Sequence, residues 1–522
     1  KEININAINN SKSTAIKFIL IASTNQLDEV VVTAEKKEEL LQKIPASITA
    51  LNAKQINAFG LWNTKEITGI IPNLYSADPG DNRDVNSVRG IATSSYDPTV
   101  TTYIDGVNQF SLDTYIPTLF DIERIEVLRG PSALQYGGSA MGGVVNVIDN
   151  RIPRQKMQGI VGKAQSQFGS GNRERSNGAM LEVGEGAWVL HADAFDRRTS
   201  DVKVPQNLPC SKPGSAELAS RICNSASAAK GGALGASLFL DRGYVGMSVN
   251  SYQSNYGTVA EDEVTIGMRS KRASLEGEWR PDTRLVQSLN FQASQTDYKH
   301  TEFDAGEAGT LFANKGHDVR VQLRHKPWRS ATGVWEGVWG WQTERGKFSA
   351  DGAEAFAPFS NTRTQALFLI EEYAVGSTRF NLGIRRENVS VESLGNPDPT
   401  VERFELGTRK FSPQSFATSA SWQIMPQWRL SANASRVERA PKDYELFANG
   451  PHIATAAWER GDSNLGLEKA NSMDVSADWQ QGPHQFKITA FQSKFSNFIG
   501  LLGTSEIEED LPVQVYKGVR AK

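Results

Sequence analysis

The sequence predicts a membrane all-β barrel, antiparallel in its strand order, with an N-terminal α+β domain that acts as its plug. Three observations lead there. Period-two alternation of apolar and polar residues recurs from about residue 158 to the end. The polar faces of those strands carry Arg, Glu and Gln repeatedly, as a wet interior requires. Over residues 38 to 150 the alternation breaks, Gly and Pro become frequent, and short helical stretches appear. At 522 residues the chain also exceeds what one ordinary soluble core supports.

The alternation is clearest from Ser415. In SFATSASWQIMPQWRLSANAS, Phe416, Thr418, Ala420, Trp422 and Ile424 share one face, and Ser415, Ser419, Ser421 and Gln423 the other. After Met425-Pro426-Gln427 the pattern resumes, with Trp428, Leu430, Ala432 and Ala434 opposite Arg429, Ser431, Asn433 and Ser435. This is a hairpin of two half-apolar strands. The same unit recurs around Ala273–Trp279, Leu289–Ala293 and Phe380–Ile384, while Trp335, Trp339 and Trp341 share a face. Sandwich strands also alternate but average only about 5–6 residues; these run longer. Short turns such as Pro281-Asp282-Thr283 alternate with long loops at 199–230 and 442–463, which is barrel connectivity.

Ahead of the barrel, Ala53 to Phe59 and Thr64 to Ile70 read as short helices, and Val144, Val145, Val147 and Ile148 as a buried strand. A large barrel needs its lumen occluded, and this domain is placed to do so. The stretch LDEVVVTAEKKEELLQK, residues 27–43, is harder to place. Val30 to Val32 are strand-prone, yet the charged run from Glu35 to Glu39 discourages further sheet. Such a patch is either an edge strand at a domain start or a strand left for another protein's sheet edge.

The longest apolar run, near Phe18 to Ala22, is too short for a membrane helix, which says nothing against barrel strands. A net charge of −3 argues against a nucleic-acid partner. The chain starts at Lys1, so its N-terminus reads as processed or cut. Cys210 and Cys223, thirteen positions apart in a polar stretch, suit a loop disulfide in an oxidising compartment; two unpaired thiols are the alternative. No nucleophile, base or metal constellation suggests an enzyme. The six histidines (191, 300, 317, 325, 452 and 484) never lie closer than eight positions, so no local metal cluster is visible and no cofactor is expected.

SVRGI (Ser87 to Ile91), TYIDGV (Thr102 to Val107) and DIERIEVLRGPSALQYGGSAMGGVVNVIDN (Asp121 to Asn150) resemble the plug of TonB-dependent outer-membrane receptors. The resemblance implies a cell outer membrane location in a Gram-negative bacterium, with lipid around the wall. It also implies a role for the strand-prone patch. Asp28, Glu29, Val30, Val31, Val32, Thr33 and Ala34 are similar to the TonB box, which in the family pairs as an added strand with the periplasmic protein TonB, itself driven by an inner-membrane complex. Residues 1–27 then read as the tail of a small β domain or a linker, 28–37 as box and linker, 38–153 as plug, and 154–522 as barrel.

The expected function is TonB-dependent import of a scarce metal chelate, a ferric siderophore first. A receptor for zinc, another metal or haem is the alternative, and a passive porin or structural barrel a distant third. The plug stretches 77–84 and 92–99 would face the ligand, with Arg83 and Tyr96 as cation and aromatic for an anionic or catecholate chelate. Stretches around 325–358 and 444–479 look most like the zinc-receptor branch, and His452 and Glu354 match positions of that branch. The His-rich loops of that branch are missing here, as is a plug His after Asp105-Gly106. About 15–16 alternating segments are expected against the roughly 22 strands of plugged outer-membrane transporters, so the barrel reads as incomplete and the chain as part of a longer product.

Overall fold

A computed structural model of the chain describes residues 31–32, 39–40, 47–62, 64–77, 85–89, 91, 100–110, 118–129, 136–211, 217–259, 261–352, 355–398, 402–452, 456–482 and 484–521. Its wall is one sheet of 20 strands that starts at Gln158–Gly169 and ends at Leu511–Ala521. Four are short accessories: Trp328–Arg329, Gly407–Phe411, Asn449–His452 and Ala457–Arg460. The sixteen that remain are long and pair antiparallel with their neighbours, at the upper end of the expected number.

The wall is inside-out relative to a soluble core, as the alternation requires. In Glu468–Gln481, Glu468, Ser472, Asp474 and Ser476 are buried, whereas Met473 and Val475 are 62% and 59% exposed. Ile160, Leu234, Leu367 and Ile488 face outward in the same way, while Ser176, Arg272, Asp318 and Gln342 face in. Aromatics collect at the end of the short turns. Trp428 pairs with Trp479, which pairs in turn with Phe486, and Trp335 stacks on Tyr373 at 4.6 Å. That row is the interfacial girdle of a lipid-embedded barrel.

The expected alternation of short and long connections holds only in part. Turns at the girdle end are tight, as at Gly186-Ala187 and Asp241-Arg242. At the opposite end, Asp304 and Glu307 are joined by Ala305 and Gly306 alone, both at positive φ. There the strands themselves are long, 19 residues each, so extended sheet replaces the loop. The predicted loop at 199–230 contains its own hairpin, Lys203–Pro209 with Leu218–Arg221, and that at 442–463 a helix, Asp443–Phe447.

Among the described residues the first and last wall strands do not pair with each other. Gln158–Gly169 pairs only with Glu174–Glu185. The free side of Leu511–Ala521 is met in parallel by Ala457–Arg460, at Val513 to Val515.

The plug sheet runs Ser47–Asn52, Ile122–Arg129, Gly143–Asp149, Val100–Ile104, Val107–Asn108, with one parallel pairing, Val100–Ile104 on Gly143–Asp149. The helix Ala53–Phe59 and a 3₁₀ turn, Thr64–Gly69, fall where the sequence predicts them. Asn52 and Gln55 form a capping box that fixes the helix start. Ile56, Ile67, Ile125, Val127 and Val145 pack into one core, each worth about 1.5–3 kcal/mol of burial.

Val475 is exposed on the outer face of the wall, four residues from Trp479 of the girdle. Val475→Arg is expected to cost about 2–4 kcal/mol of folding free energy into bilayers. A cost near zero would mean that this face does not meet lipid.

Candidate functional site

The plug is fixed to the wall by buried polar contacts, and the recognised motifs supply them. In TYIDGV, Asp105 and Gly106 sit at φ 53° and 73° and turn Val100–Ile104 back on Val107–Asn108. A two-residue turn with both φ positive selects Asp-Gly. Three successive carbonyls of this turn accept from the wall. Ile104 O receives Arg272 Nη2 at 3.3 Å, Asp105 O receives Gln292 Nε2 at 2.9 Å, and Gly106 O receives Arg320 Nη2 at 2.9 Å. Burial pushes the Asp105 carboxyl up to about 7, reinforced by Asp149 and opposed by Arg154.

In SVRG, Arg89 donates Nη1 to Asp474 Oδ1 at 2.7 Å, with both side chains essentially inaccessible, and its guanidinium lies 4.2 Å from the Phe491 ring centre. At the exit from the plug, Arg154 grips Glu276 through Nε and Nη2 at 2.8 and 3.0 Å. Gly137 and Gly138 do more than turn the chain. A Cβ on Gly138 would lie 3.0 Å from Glu438 O and 3.2 Å from Arg439 Cα, so the plug backbone presses on the wall there.

Two cavities flank this contact. One of about 1310 Å³ lies at the girdle end, lined by Arg124, Arg154, Glu276 and Arg320 among others. One of about 210 Å³ lies towards the other end, lined by Phe110, Arg385, Lys442 and Tyr444 among others. Tyr136 lines both. Its backbone carbonyl accepts from Tyr103 Oη at 2.8 Å, and its hydroxyl accepts from Asn146 Nδ2 at 3.2 Å.

A model of the TonB dependent receptor-like β-barrel matches residues 224–517, and one of the TonB-dependent receptor plug domain matches residues 40–144. The chain belongs to the TonB-dependent receptor family. Members of this family are proteins of the Gram-negative outer membrane, and this receptor is one of them. It is 33% identical to the pesticin receptor of Yersinia pestis over 154 residues, which is 28% of this chain and 23% of that protein. It is 30% identical to the iron-regulated outer membrane virulence protein of Vibrio cholerae over 170 residues, 30% of this chain and 25% of the relative. These matches span about a quarter of the length of those curated relatives. Among solved structures, the haemophore receptor HasR of Serratia marcescens aligns with TM-score 0.73 at 13% identity, covering 91% of this chain and 77% of that one. The siderophore receptor PirA of Pseudomonas aeruginosa aligns with TM-score 0.66 at 16% identity, covering 91% and 79%. At such identities the likeness is one of fold.

The sequence-predicted site residues fare unevenly. Val31 and Val32 form a two-residue strand antiparallel to Glu39–Leu40; Asp28, Glu29, Val30, Thr33 and Ala34 lie outside the described residues. So do Arg83, Tyr96 and Glu354. His452 is buried, with Nδ1 2.6 Å from Glu459 Oε1 and its ring stacked on Phe356 at 4.5 Å. Glu459 Oε2 in turn accepts from Tyr516 Oη at 2.7 Å. Cys210 and Cys223 are bonded, with Cα atoms 5.8 Å apart, in the long connection between Trp188–Arg198 and Ser227–Leu240.

Two groupings have no local signal in the sequence. Arg439 is clamped by both oxygens of Glu445 at 2.7 and 2.9 Å and by Glu468, which ties the helix Asp443–Phe447 to the wall. The lack of a local histidine cluster along the chain does not bear on a second grouping, which forms across domains. Asp121, His191 and Asp193 bring one ligand atom each to within 4.8 Å of one another. Spacing along the chain misses it because Asp121 belongs to the plug and the other two to the wall.

Asp474→Ala leaves Arg89 buried and unpaired and is expected to destabilise the seated plug by about 3–5 kcal/mol in denaturant titration. Arg89→Met added to it should recover most of that loss, a coupling that a double-mutant cycle reads directly. Additive losses would show that the two do not act as a pair.

Proposed function

We propose that this receptor imports a scarce metal chelate, a ferric siderophore first, across the outer membrane in a TonB-driven step. The observation that carries the reading is a plug held between two cavities by buried pairs to the wall. Among the described residues Tyr136 lines both cavities, while Gly137 and Gly138 line the outer one; in this reading a solute crosses when the plug moves, and moving it breaks buried ion pairs. A passive porin has no use for such a plug. The similarity to the iron-regulated outer membrane virulence protein of Vibrio cholerae supports iron as cargo.

The outer cavity offers the rings of Phe110 and Tyr444 and the cations Arg385 and Lys442 to an aromatic-bearing chelate, beside the carboxylates Glu344, Glu387 and Asp443, of which Glu387 pairs with Arg385. Arg83 and Tyr96 remain the proposed plug contacts. Import of zinc is the second reading. It is favoured by His452, paired with Glu459 and stacked on Phe356, two positions from Glu354.

In this reading Asp28 to Ala34 is the handle for TonB, and Val31 gives up its pairing with Leu40 to join the partner's sheet. Growth of an iron- or zinc-starved outer-membrane-receptor deletion strain expressing this receptor, fed ferric siderophores, haem or zinc one at a time, identifies the cargo. Rescue by a ferric siderophore is expected, and rescue by zinc alone would replace the first reading with the second. Val31→Pro is expected to abolish that rescue while leaving ligand binding to whole cells unchanged, since proline removes a ladder donor and fixes φ. Undiminished rescue by the variant would remove the handle assignment.

A further inference from the structure

We propose that Asp121, His191 and Asp193 form a divalent-cation site that pins the plug to the barrel wall. His191 and Asp193 alternate on the wall strand Trp188–Arg198, and Asp121 leads into the plug strand Ile122–Arg129. His191 Nε2 lies 3.2 Å from Asp193 Oδ2 and 3.4 Å from Asp121 Oδ2. A tetrahedral ion with bonds of about 2.0–2.2 Å to nitrogen and oxygen sets its ligand atoms about 3.3–3.5 Å apart, which matches these two edges.

Hydrogen bonding alone leaves the group unfinished. A proton on Nε2 serves one carboxylate well, and it serves Asp193; Asp121 Oδ2 is buried and makes no hydrogen bond, despite lying within ion-pair reach of the ring. Asp121 as a whole is 6% exposed. A cation, unlike a proton, can be shared by all three atoms. Beside the group, lined by Asp121 and Asp193 but not by His191, lies a cavity of about 20 Å³, the size of a single ion or water.

Charge points the same way. Four carboxylates, Asp121, Asp149, Glu182 and Asp193, face the cations Arg151 and Lys163. The remaining deficit of two is closed by a divalent ion with neutral imidazole and only halved by imidazolium. His191 Nδ1 meets Glu182 Oε1 at 3.1 Å, the outer carboxylate that fixes the tautomer of a metal-binding histidine. Arg151, whose Nε reaches the same Asp193 Oδ2 at 3.2 Å, would hold that carboxylate in place beside the ion. One nitrogen and two carboxylate oxygens suit Zn²⁺ or a similar transition ion better than Ca²⁺ or Mg²⁺.

The test uses the full chain, purified in detergent, stripped with chelator and titrated with Co²⁺ and with Zn²⁺ alone. One Co²⁺ per chain with the intense visible absorption of a tetrahedral site is expected, displaced by Zn²⁺. Asp121→Asn and Asp193→Asn should abolish that signal while keeping the wild-type circular dichroism spectrum, and Glu182→Gln should weaken binding about 10–100-fold. Absence of the signal in the wild type, or its persistence in correctly folded Asp121→Asn, would overturn the site and leave His191 as an imidazolium latch.

Discussion

Every backbone amide of the wall has to find its partner inside the protein, because hydrocarbon offers none. That requirement produces the ladder of sixteen long strands, and the ladder in turn fixes the side-chain period at two. Outward positions are then apolar and inward positions polar, as Met473 and Val475 against Ser472 and Asp474 show. An inward row of Arg, Asp and Glu is itself in need of partners. Some are met within the wall, as Arg197 by Glu174 and Arg439 by Glu468, and others by the plug region, as Asp474 by Arg89 and Glu276 by Arg154.

The contacts are not evenly satisfied. Backbone groups of the plug are met at Ile104, Asp105 and Gly106, and charges at Arg89 and Arg154. Yet buried atoms without a hydrogen-bond partner gather along the same seam: both side-chain atoms of Gln109, Asn314 Oδ1, Asp318 Oδ1, Arg320 Nε and Arg385 Nη1. Gln109, Asn314 and Arg385 line the cavity of about 210 Å³, which has room for water. The direct bonds of the seam are thus concentrated at a few named pairs.

Much of this was legible in the chain. Alternation gave the wall from Gln158, and the helices at Ala53 and Thr64 and the strand at Gly143 were readable from local pattern. The Asp105-Gly106 turn was recognisable as a motif, but not that its carbonyls reach three different wall strands. The metal-ligand group was invisible for a plainer reason: Asp121 and His191 are seventy positions apart and meet only when the plug is seated. Arg439, Glu445 and Glu468 share that property, being joined across a long connection. Local physics writes elements into sequence, whereas ion pairs between elements leave no spacing to read.

The residues behind the zinc reading depend on the edge of the sheet. His452 sits in the hairpin Asn449–His452 with Ala457–Arg460, and that hairpin is held in parallel against Val513 to Val515 of the last wall strand. Its ring is oriented by Glu459, and Glu459 by Tyr516 of the same strand. Parallel pairing at an edge uses the donors and acceptors that a neighbouring antiparallel strand would otherwise take. The orientation of His452 is therefore tied to that edge, since the strand that pairs with its hairpin also carries the Tyr516 that holds Glu459.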